Sequence, residues 1–388
     1  MTEHRLEVAD VFREYGSAYL EAYGHATTLE QKRVMKNIVA CRTAALGGHK
    51  LQCDHCDHDK ISYNSCRNRH CPKCQAAATA RWLEAKETDL LPVPYFHVVF
   101  TLPDKLRPVA LQNKRAIYDM LFRAASETLL QISRDPKHLG AGIGFLAVLH
   151  TWGQNLLDHP HLHCVIPGGG IALDGSRWVS CRKEFFLPIR VLSCLFRGKF
   201  MAYLKAAFET GTLEFHGKCQ DLADPSNWRA LVSALWESRW VVYAKAPFGG
   251  PQQVLKYLAR YTHRVAISNR RLLTLADGKV TFQWKDYRNG NHHKTMTLEA
   301  VEFIRRFLLH VLPKGFVRIR QYGFLANPVK SEKLVLCRKL LGQAQKIATA
   351  TPQSAQQAKT TDTCPVCRKG RMIIVAIIEP QSPVFDTS

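Results

Sequence analysis

Three imidazoles stand at alternate positions in His159-Pro160-His161-Leu162-His163-Cys164-Val165-Ile166. Side chains two apart on a strand share a face, ~6.6 Å from one to the next, so these rings can converge on a metal ion or a phosphate. Further along, Tyr257-Leu258-Ala259-Arg260-Tyr261 sets two phenols four apart. On a helix their Cβ atoms would lie ~5–6 Å apart on one face. A phenol with a pKa near ~10 attacks phosphorus poorly unaided. A metal on the scissile phosphate would draw charge from its non-bridging oxygens and align it for in-line attack. Tyrosine would then hold the 5′ side of the cut phosphodiester and conserve the bond for rejoining. The second tyrosine could attack another site, and Arg260 and Arg264 lie near enough in sequence to meet phosphate charge.

A second chemistry belongs to cysteine. Cys53-x-x-Cys56 and Cys71-x-x-Cys74 are separated by fourteen residues. Each pair forms a knuckle that presents two thiolates, and two knuckles close one tetrahedral zinc site. The interval is polar and short of large apolar residues, so it needs the metal in place of a core. Arg67, Arg69 and Lys73 make the module basic and suit DNA contact. Cys41, His49, His55, His58, Cys66 and His70 are surplus donors for a second ion or for outer contacts. Cys364-Pro365-Val366-Cys367 is one more knuckle with no second pair after it. A complete zinc site is therefore not expected there unless Cys337 or another chain contributes.

The 388 residues carry a formal charge of +22. An excess of Lys and Arg on that scale points to a polyanion, with nucleic acid first. No apolar run approaches the ~18 residues that span a bilayer, and the polar, acidic N-terminus is unlike a signal peptide. Thirteen cysteines without a secretion signal therefore read as thiols and metal ligands in a reducing cytoplasm.

These groups must be positioned by a mixed set of elements. Thr28-Leu29-Glu30-Gln31 predicts a capping box, opening a helix to about Leu46 before Gly47-Gly48. A helix is expected over 75–90, a buried strand over 96–103, helix over 107–133 and a strand over 144–150. The histidine strand should end at Gly168-Gly169-Gly170. Asp174-Gly175 marks a hairpin, 185–240 reads as helical and basic, and 240–245 as a strand. A helix opened near Pro251 carries Gln253 and both tyrosines. Hairpin signals at Asp277-Gly278 and Asn289-Gly290 precede a helix over 298–312. Residues 316–327 mix Arg318 and Arg320 with Tyr322 and Phe324, a mixture suited to stacking on bases and neutralising phosphates. Residues 343–363 have a linker composition, and Met372 to Ile378 is a strand-sized apolar run.

Over roughly residues 10–335 the chain closely resembles the rolling-circle transposases of the bacterial insertion-sequence group ninety-one. The resemblance is carried by Cys-Arg-Thr-Ala-Ala-Leu-Gly-Gly-His at 41–49 and by Tyr-Asn-Ser-Cys-Arg-Asn-Arg-His-Cys-Pro-Lys-Cys-Gln at 63–75. It continues in His-Val-Val-Phe-Thr-Leu-Pro at 97–103, His-Pro-His-Leu-His at 159–163, Tyr-Leu-Ala-Arg-Tyr at 257–261 and Gly-Phe-Val-Arg-Ile-Arg at 315–320. It implies an N-terminal zinc-binding domain before an HUH nuclease domain (His, hydrophobe, His). His161 and His163 would be the metal pair, and Tyr257 and Tyr261 the nucleophiles of a two-tyrosine member. The implied fold is α+β, an antiparallel sheet with flanking helices, HUH on a central strand and the tyrosines on a helix. The implied catalytic metal is magnesium or manganese, although imidazoles alone suit zinc better. HUH sites usually add a third protein ligand, for which His159 and Gln253 are the candidates.

The resulting expectation has a helical lead-in and zinc-binding domain at 1–90, the nuclease domain at 91–335, and a basic linker with a CPxC tail at 336–388. The chain would be a bacterial transposase that nicks and rejoins single-stranded DNA at element ends and target through 5′-phosphotyrosine links. A plasmid replication initiator would share the chemistry but not the zinc module. A non-catalytic zinc-dependent DNA-binding protein would explain charge and cysteines but not the tyrosine pair. A zinc hydrolase would use the histidines with water and tolerate loss of both phenols.

Overall fold

The structure is a computed structural model that describes residues 5–182, 186–248, 253–254, 265–286, 290, 292–342 and 363–381. It opens with two helices, α1 (Val8–Tyr23) and α2 (Leu29–Ala40). The capping box of α2 forms as its spacing predicts: Gln31 N–H donates to Thr28 Oγ1 at 3.3 Å, and Thr28 N–H donates to Gln31 Oε1 at 2.8 Å. The helix stops at Ala40, short of the expected Leu46, because Cys41 takes an extended backbone and Ala44–Leu46 forms a separate 3-10 turn. A hairpin follows, β1 (Gly48–Cys53) and β2 (Asp59–Tyr63), then α3 (Pro72–Glu87), whose first residue is proline.

The next elements are β3 (Tyr95–Thr101), α4 (Arg107–Gln112), α5 (Lys114–Arg134), β4 (Ala141–Gly142), β5 (Gly144–Trp152) and β6 (Asp158–Pro167). After them come β7 (Gly169–Ala172), β8 (Trp178–Ser180), α6 (Ile189–Glu209), α7 (Pro225–Glu237) and β9 (Val241–Phe248). Then follow β10 (Leu272–Ala276), β11 (Lys279–Asp286), β12 (His292–Glu299), α8 (Ala300–Leu309), β13 (Ile319–Gly323), α9 (Lys330–Leu340) and β14 (Met372–Ile378). The architecture is α+β. Its central sheet has the order β13-β5-β6-β3-β9, with every neighbouring pair antiparallel.

Alternation assigns the two faces of that sheet. Val98, Phe100, Phe145, Leu149, Leu162 and Cys164 point into a core closed by α5 and α6 through Phe122, Phe196 and Phe200. Truncating a buried phenylalanine such as Phe100 would cost ~3–5 kcal/mol there. The opposite face carries Tyr95, Leu146, Val148 and Val165, packed with Leu91, Val254 and Phe324. His97, His150, His161 and His163 share the strand parity of this second face. The glycine run does end β6, but pairing resumes at once in β7. A Cβ on Gly169 would sit 2.5 Å from both Trp178 Nε1 and Val179 O, so the neighbouring strand admits only glycine.

Packing crosses the boundary expected near residue 90. α1 and α2 share a core with β10, β11 and α8, where Phe12 meets Phe307 edge-on at 5.3 Å. The range expected as linker and tail, 336–388, holds part of α9 and all of β14. Residues to Leu340 lie in α9 on the central sheet's second face, and β14 pairs with β1 from Gly48↔Ile378 to Cys53↔Met372. Among the described residues no helix is long and apolar enough to cross a membrane.

Candidate functional site

The β5–β6 hairpin builds the histidine site. Its register sets His150 opposite His161 and Val148 opposite His163. Ring centroids of His150 lie 5.5 Å from His161 and 4.5 Å from His163, and those of His161 and His163 are 4.8 Å apart. One nitrogen from each of the three lies within 4.8 Å of the others, which fits a shared metal ion. The third imidazole in this cluster is therefore His150, not His159. The His159 side chain is 42% exposed, with Nδ1 4.0 Å from an Asp104 carboxylate oxygen. It stands outside the three-histidine group, although its ring lies 5.2 Å from that of His161. Gln253 is exposed. Sequence reading missed His150 because an isolated histidine in an apolar strand carries no spacing signal. Pairing 144–150 with 159–166 across Gly153 and Asn155 would have found it.

Neighbours orient the rings. His163 Nδ1 lies 2.8 Å from His97 Nε2, and the two rings are nearly parallel. His161 Nδ1 donates to the His159 carbonyl at 2.6 Å. Both contacts engage Nδ1, the usual outer arrangement around an imidazole that binds a metal through its other nitrogen. Trp152 stacks on His150 at 4.8 Å and walls the cluster. On the other sheet face, buried Asp158 is pushed up to about 7 by desolvation, opposed by the charges of Lys114 and Arg107. Tyr257, Tyr261, Arg260 and Arg264 lie outside the described residues. The described residue before them in that segment, Val254, is fully buried in the cluster on the histidine-bearing face.

The cysteines form two clusters, and their grouping corrects the sequence expectation. Cys71 and Cys74 join Cys41 and Cys66, whereas Cys53 and Cys56 join Cys364 and Cys367. In the first, Cys41 Sγ and Cys66 Sγ lie 3.5 and 3.6 Å from Cys74 Sγ. A tetrahedron with Zn–S bonds of ~2.3 Å has edges of ~3.8 Å, so the spacing fits zinc and is far beyond a disulfide. The β1–β2 hairpin carries the first knuckle away from the second. The second opens α3 and meets Cys41 where α2 ends. Cys41 and Cys66 are lone cysteines in sequence, so spacing alone could not select them over their neighbours.

Several cations assigned to DNA by sequence are engaged within the protein. Arg69 donates to the carbonyls of Leu312, Pro313 and Phe316. Lys73 pairs with Glu7 at 2.5 Å and donates to Cys41 O. Arg318 is buried, donates to Gln75 Oε1 at 3.3 Å, and is lowered to about 10 by desolvation and by Arg69. Arg320 pairs with Asp119 and lies over the rings of Phe122 and Phe316 at 4.1 and 5.1 Å. These four residues, expected at DNA, thus also hold the fold together. Arg67 remains exposed, with a positive φ of 52°.

Comparison with known proteins adds the family. Residues 144–333 match the family model described as "Putative transposase", and residues 11–102 match "Transposase zinc-binding domain". The chain is 52% identical over 381 residues to "Putative transposase y4qJ" of Sinorhizobium fredii (strain NBRC 101917 / NGR234), covering 96% of each chain. It is 31% identical over 340 residues to "Transposase for insertion sequence element IS801" of Pseudomonas savastanoi pv. phaseolicola, covering 86% of this chain and 78% of that one. Two structures of the conjugative relaxase TrwC in complex with OriT DNA, one metal-free and one with mutant DNA, align at 15% and 13% identity. They cover 64% and 62% of this chain and 72% of theirs, with TM-scores of 0.24 and 0.22. At those scores neither alignment bears on what this chain does. The matched zinc-binding domain and the cysteine clusters together support structural zinc. With one family model on the zinc module, another on the histidine-bearing sheet and transposases matched across most of its length, the chain belongs to the insertion-sequence group ninety-one family of transposases.

Proposed function

We propose that this transposase nicks and rejoins single-stranded DNA at insertion-sequence ends by rolling-circle chemistry, with Tyr257 and Tyr261 as nucleophiles. The observation that carries the proposal is the clustering of His150, His161 and His163 on the sheet face that also receives Val254, three residues before Tyr257. His150, His161 and His163 would hold a divalent ion, magnesium or manganese, with phosphate and water oxygens completing its shell. When bound, that ion supplies charge neutralisation at the scissile phosphate. His97 and the His159 carbonyl hold the rings so that the group stays pre-organised.

A phenol oxygen of Tyr257 or Tyr261 attacks phosphorus, the 3′ oxygen leaves, and the 5′ end stays on the enzyme as a phosphotyrosine. A 3′ hydroxyl reverses the step and rejoins the strand. Two tyrosines let one end stay held while a second strand is cut, and Arg260 and Arg264 would meet the phosphate charge. The charge of +22 supports a nucleic-acid partner, which the reading places in the bacterial cytoplasm.

The test is a denaturant-resistant protein–DNA adduct formed with manganese or magnesium on labelled single strands from the DNA flanking the gene. The adduct is expected with the wild type and lost in the Tyr257→Phe/Tyr261→Phe double variant and in His161→Ala. Cleavage without an adduct would instead support a hydrolase. Zinc-dependent binding with neither product would support a non-catalytic DNA-binding protein.

A further inference from the structure

We propose that Cys53, Cys56, Cys364 and Cys367 hold a second structural zinc ion, and that this ion fastens the C-terminal segment to the N-terminal sheet. Half of this site lies beyond the matched zinc-binding region, which ends at residue 102. Cys56 and Cys364 are 308 positions apart, yet their sulfurs lie 3.7 Å from each other, and Cys53 Sγ lies 3.7 Å from Cys367 Sγ. Those separations are the edges of a zinc–thiolate tetrahedron (~3.8 Å). All-sulfur coordination selects zinc over the oxygen-seeking ions.

The backbone around the sulfurs is arranged as two facing knuckles. Amides of His55 and Cys56 point at Cys53 Sγ, each at 3.4 Å, and the amide of Gly370 points at Cys367 Sγ at 3.3 Å. Such donors favour the thiolate that a metal requires. The knuckles interlock at Gly370, where a Cβ would lie 2.5 Å from Cys53 Sγ and 2.5 Å from His55 Cβ. Main chain then ties one to the other: Asp54 N–H donates to Arg371 O at 3.0 Å, and Arg371 N–H returns to Asp54 Oδ1 at 2.7 Å.

Among the described residues, the segment is otherwise held mainly by the β14–β1 ladder, with little apolar burial. In β14, Ile373, Ile374 and Ile377 are 48%, 60% and 71% exposed, and β2 on the far side of β1 is exposed throughout. A three-stranded sheet without an apolar face is marginal in water, and docking the end of a long chain adds closure entropy. A tetrahedral ion shared by both knuckles supplies the missing free energy, as in small metal-dependent modules.

The test uses the full chain. Metal analysis of wild type and Cys364→Ser/Cys367→Ser is expected to show one zinc fewer in the variant. Cobalt substitution should lose about half of the thiolate charge-transfer absorbance. In parallel, a specific protease site placed within 343–362 would be cut, and the two fragments followed by gel filtration. With zinc they should co-elute; in the Cys53→Ser/Cys56→Ser background the C-terminal fragment should separate. Unchanged zinc content in the Cys364→Ser/Cys367→Ser variant would overturn the site. Co-elution in the Cys53→Ser/Cys56→Ser background would overturn the fastening role.

Discussion

His97 Nε2 lies 2.8 Å from His163 Nδ1, with the two rings inclined by 8°. His97 stands on β3, diagonal to His163 on β6, since its own partner in the register is Val165. A strand outside the three-histidine cluster thus orients one of its buried imidazoles. His97→Ala is expected to weaken manganese binding by ~10–100-fold and to lower adduct formation at limiting metal. Excess manganese should restore much of it. Calorimetric titration checks the first part, and loss of adduct that manganese cannot rescue would count against a positioning role.

His150 and His159 make opposite predictions. His150→Ala removes a ring from the cluster and should abolish metal-dependent cleavage, whereas His159→Ala leaves the three nitrogens in place and should retain activity within about threefold, a change of under ~1 kcal/mol. Parallel cleavage assays of the two variants decide which histidine is the third ligand.

For the N-terminal zinc site, Cys66→Ala should be as damaging as Cys71→Ala, because both sulfurs belong to one cluster. Loss of a direct ligand should exceed the ~10–100-fold drop in affinity typical of outer-sphere losses. Zinc competition with a chromogenic chelator measures it, and wild-type zinc retention in Cys66→Ala would refute the grouping.

Arg67 and Arg320 separate DNA contact from packing. Arg320 lies over Phe122 and Phe316, so Arg320→Ala should cost ~1–2 kcal/mol of stability and leave the salt dependence of DNA binding unchanged. Exposed Arg67 is expected from sequence at the DNA. Arg67→Ala should shrink the slope of log K against log salt by about one contact, ~0.7 for a single strand. Denaturant unfolding and salt titrations check the pair.

His310 ties β5 to the end of α8. Its Nδ1 lies 3.3 Å from Thr151 Oγ1, and its Nε2 lies 3.0 Å from the Leu156 carbonyl. Burial lowers it from 6.5 to about 3, so the fold holds it neutral while the unfolded chain binds a proton below its ordinary value. Its stabilisation is therefore complete above pH 6.5 and is lost as pH falls from 6.5 toward 3, with a limiting slope of ~1.4 kcal/mol per pH unit. His310→Gln should flatten that part of the stability profile. Equal slopes for variant and wild type in urea unfolding between pH 6.5 and 4.5 would rule this out.

Much of the scaffold was legible because local rules decide it. The capping box at Thr28, the hairpin turn at Asp277-Gly278 and the apolar strand at β14 follow from chemistry within a few residues. His161 and His163 were legible for the same reason, since strand parity alone puts them on one face. His150, His97, Cys41 and Cys66 were not, because each acquires its role from a partner on another element. The packing roles of Arg69, Arg318 and Arg320 were not legible for a related reason. Composition reports their charge but not whether carbonyls, amides or rings already engage it.

By itself, then, the sequence determined the chemical inventory: a basic chain, a histidine strand, a tyrosine pair and three cysteine knuckles. Only the tertiary structure decided which thiols cluster together and which histidine joins the pair. Knuckle spacing constrains two sulfurs at a time, while the other two arrive through a hairpin, a helix end or a strand from the far end of the chain. Ligand sets are closed by register and packing over long separations, and those are properties of the whole fold.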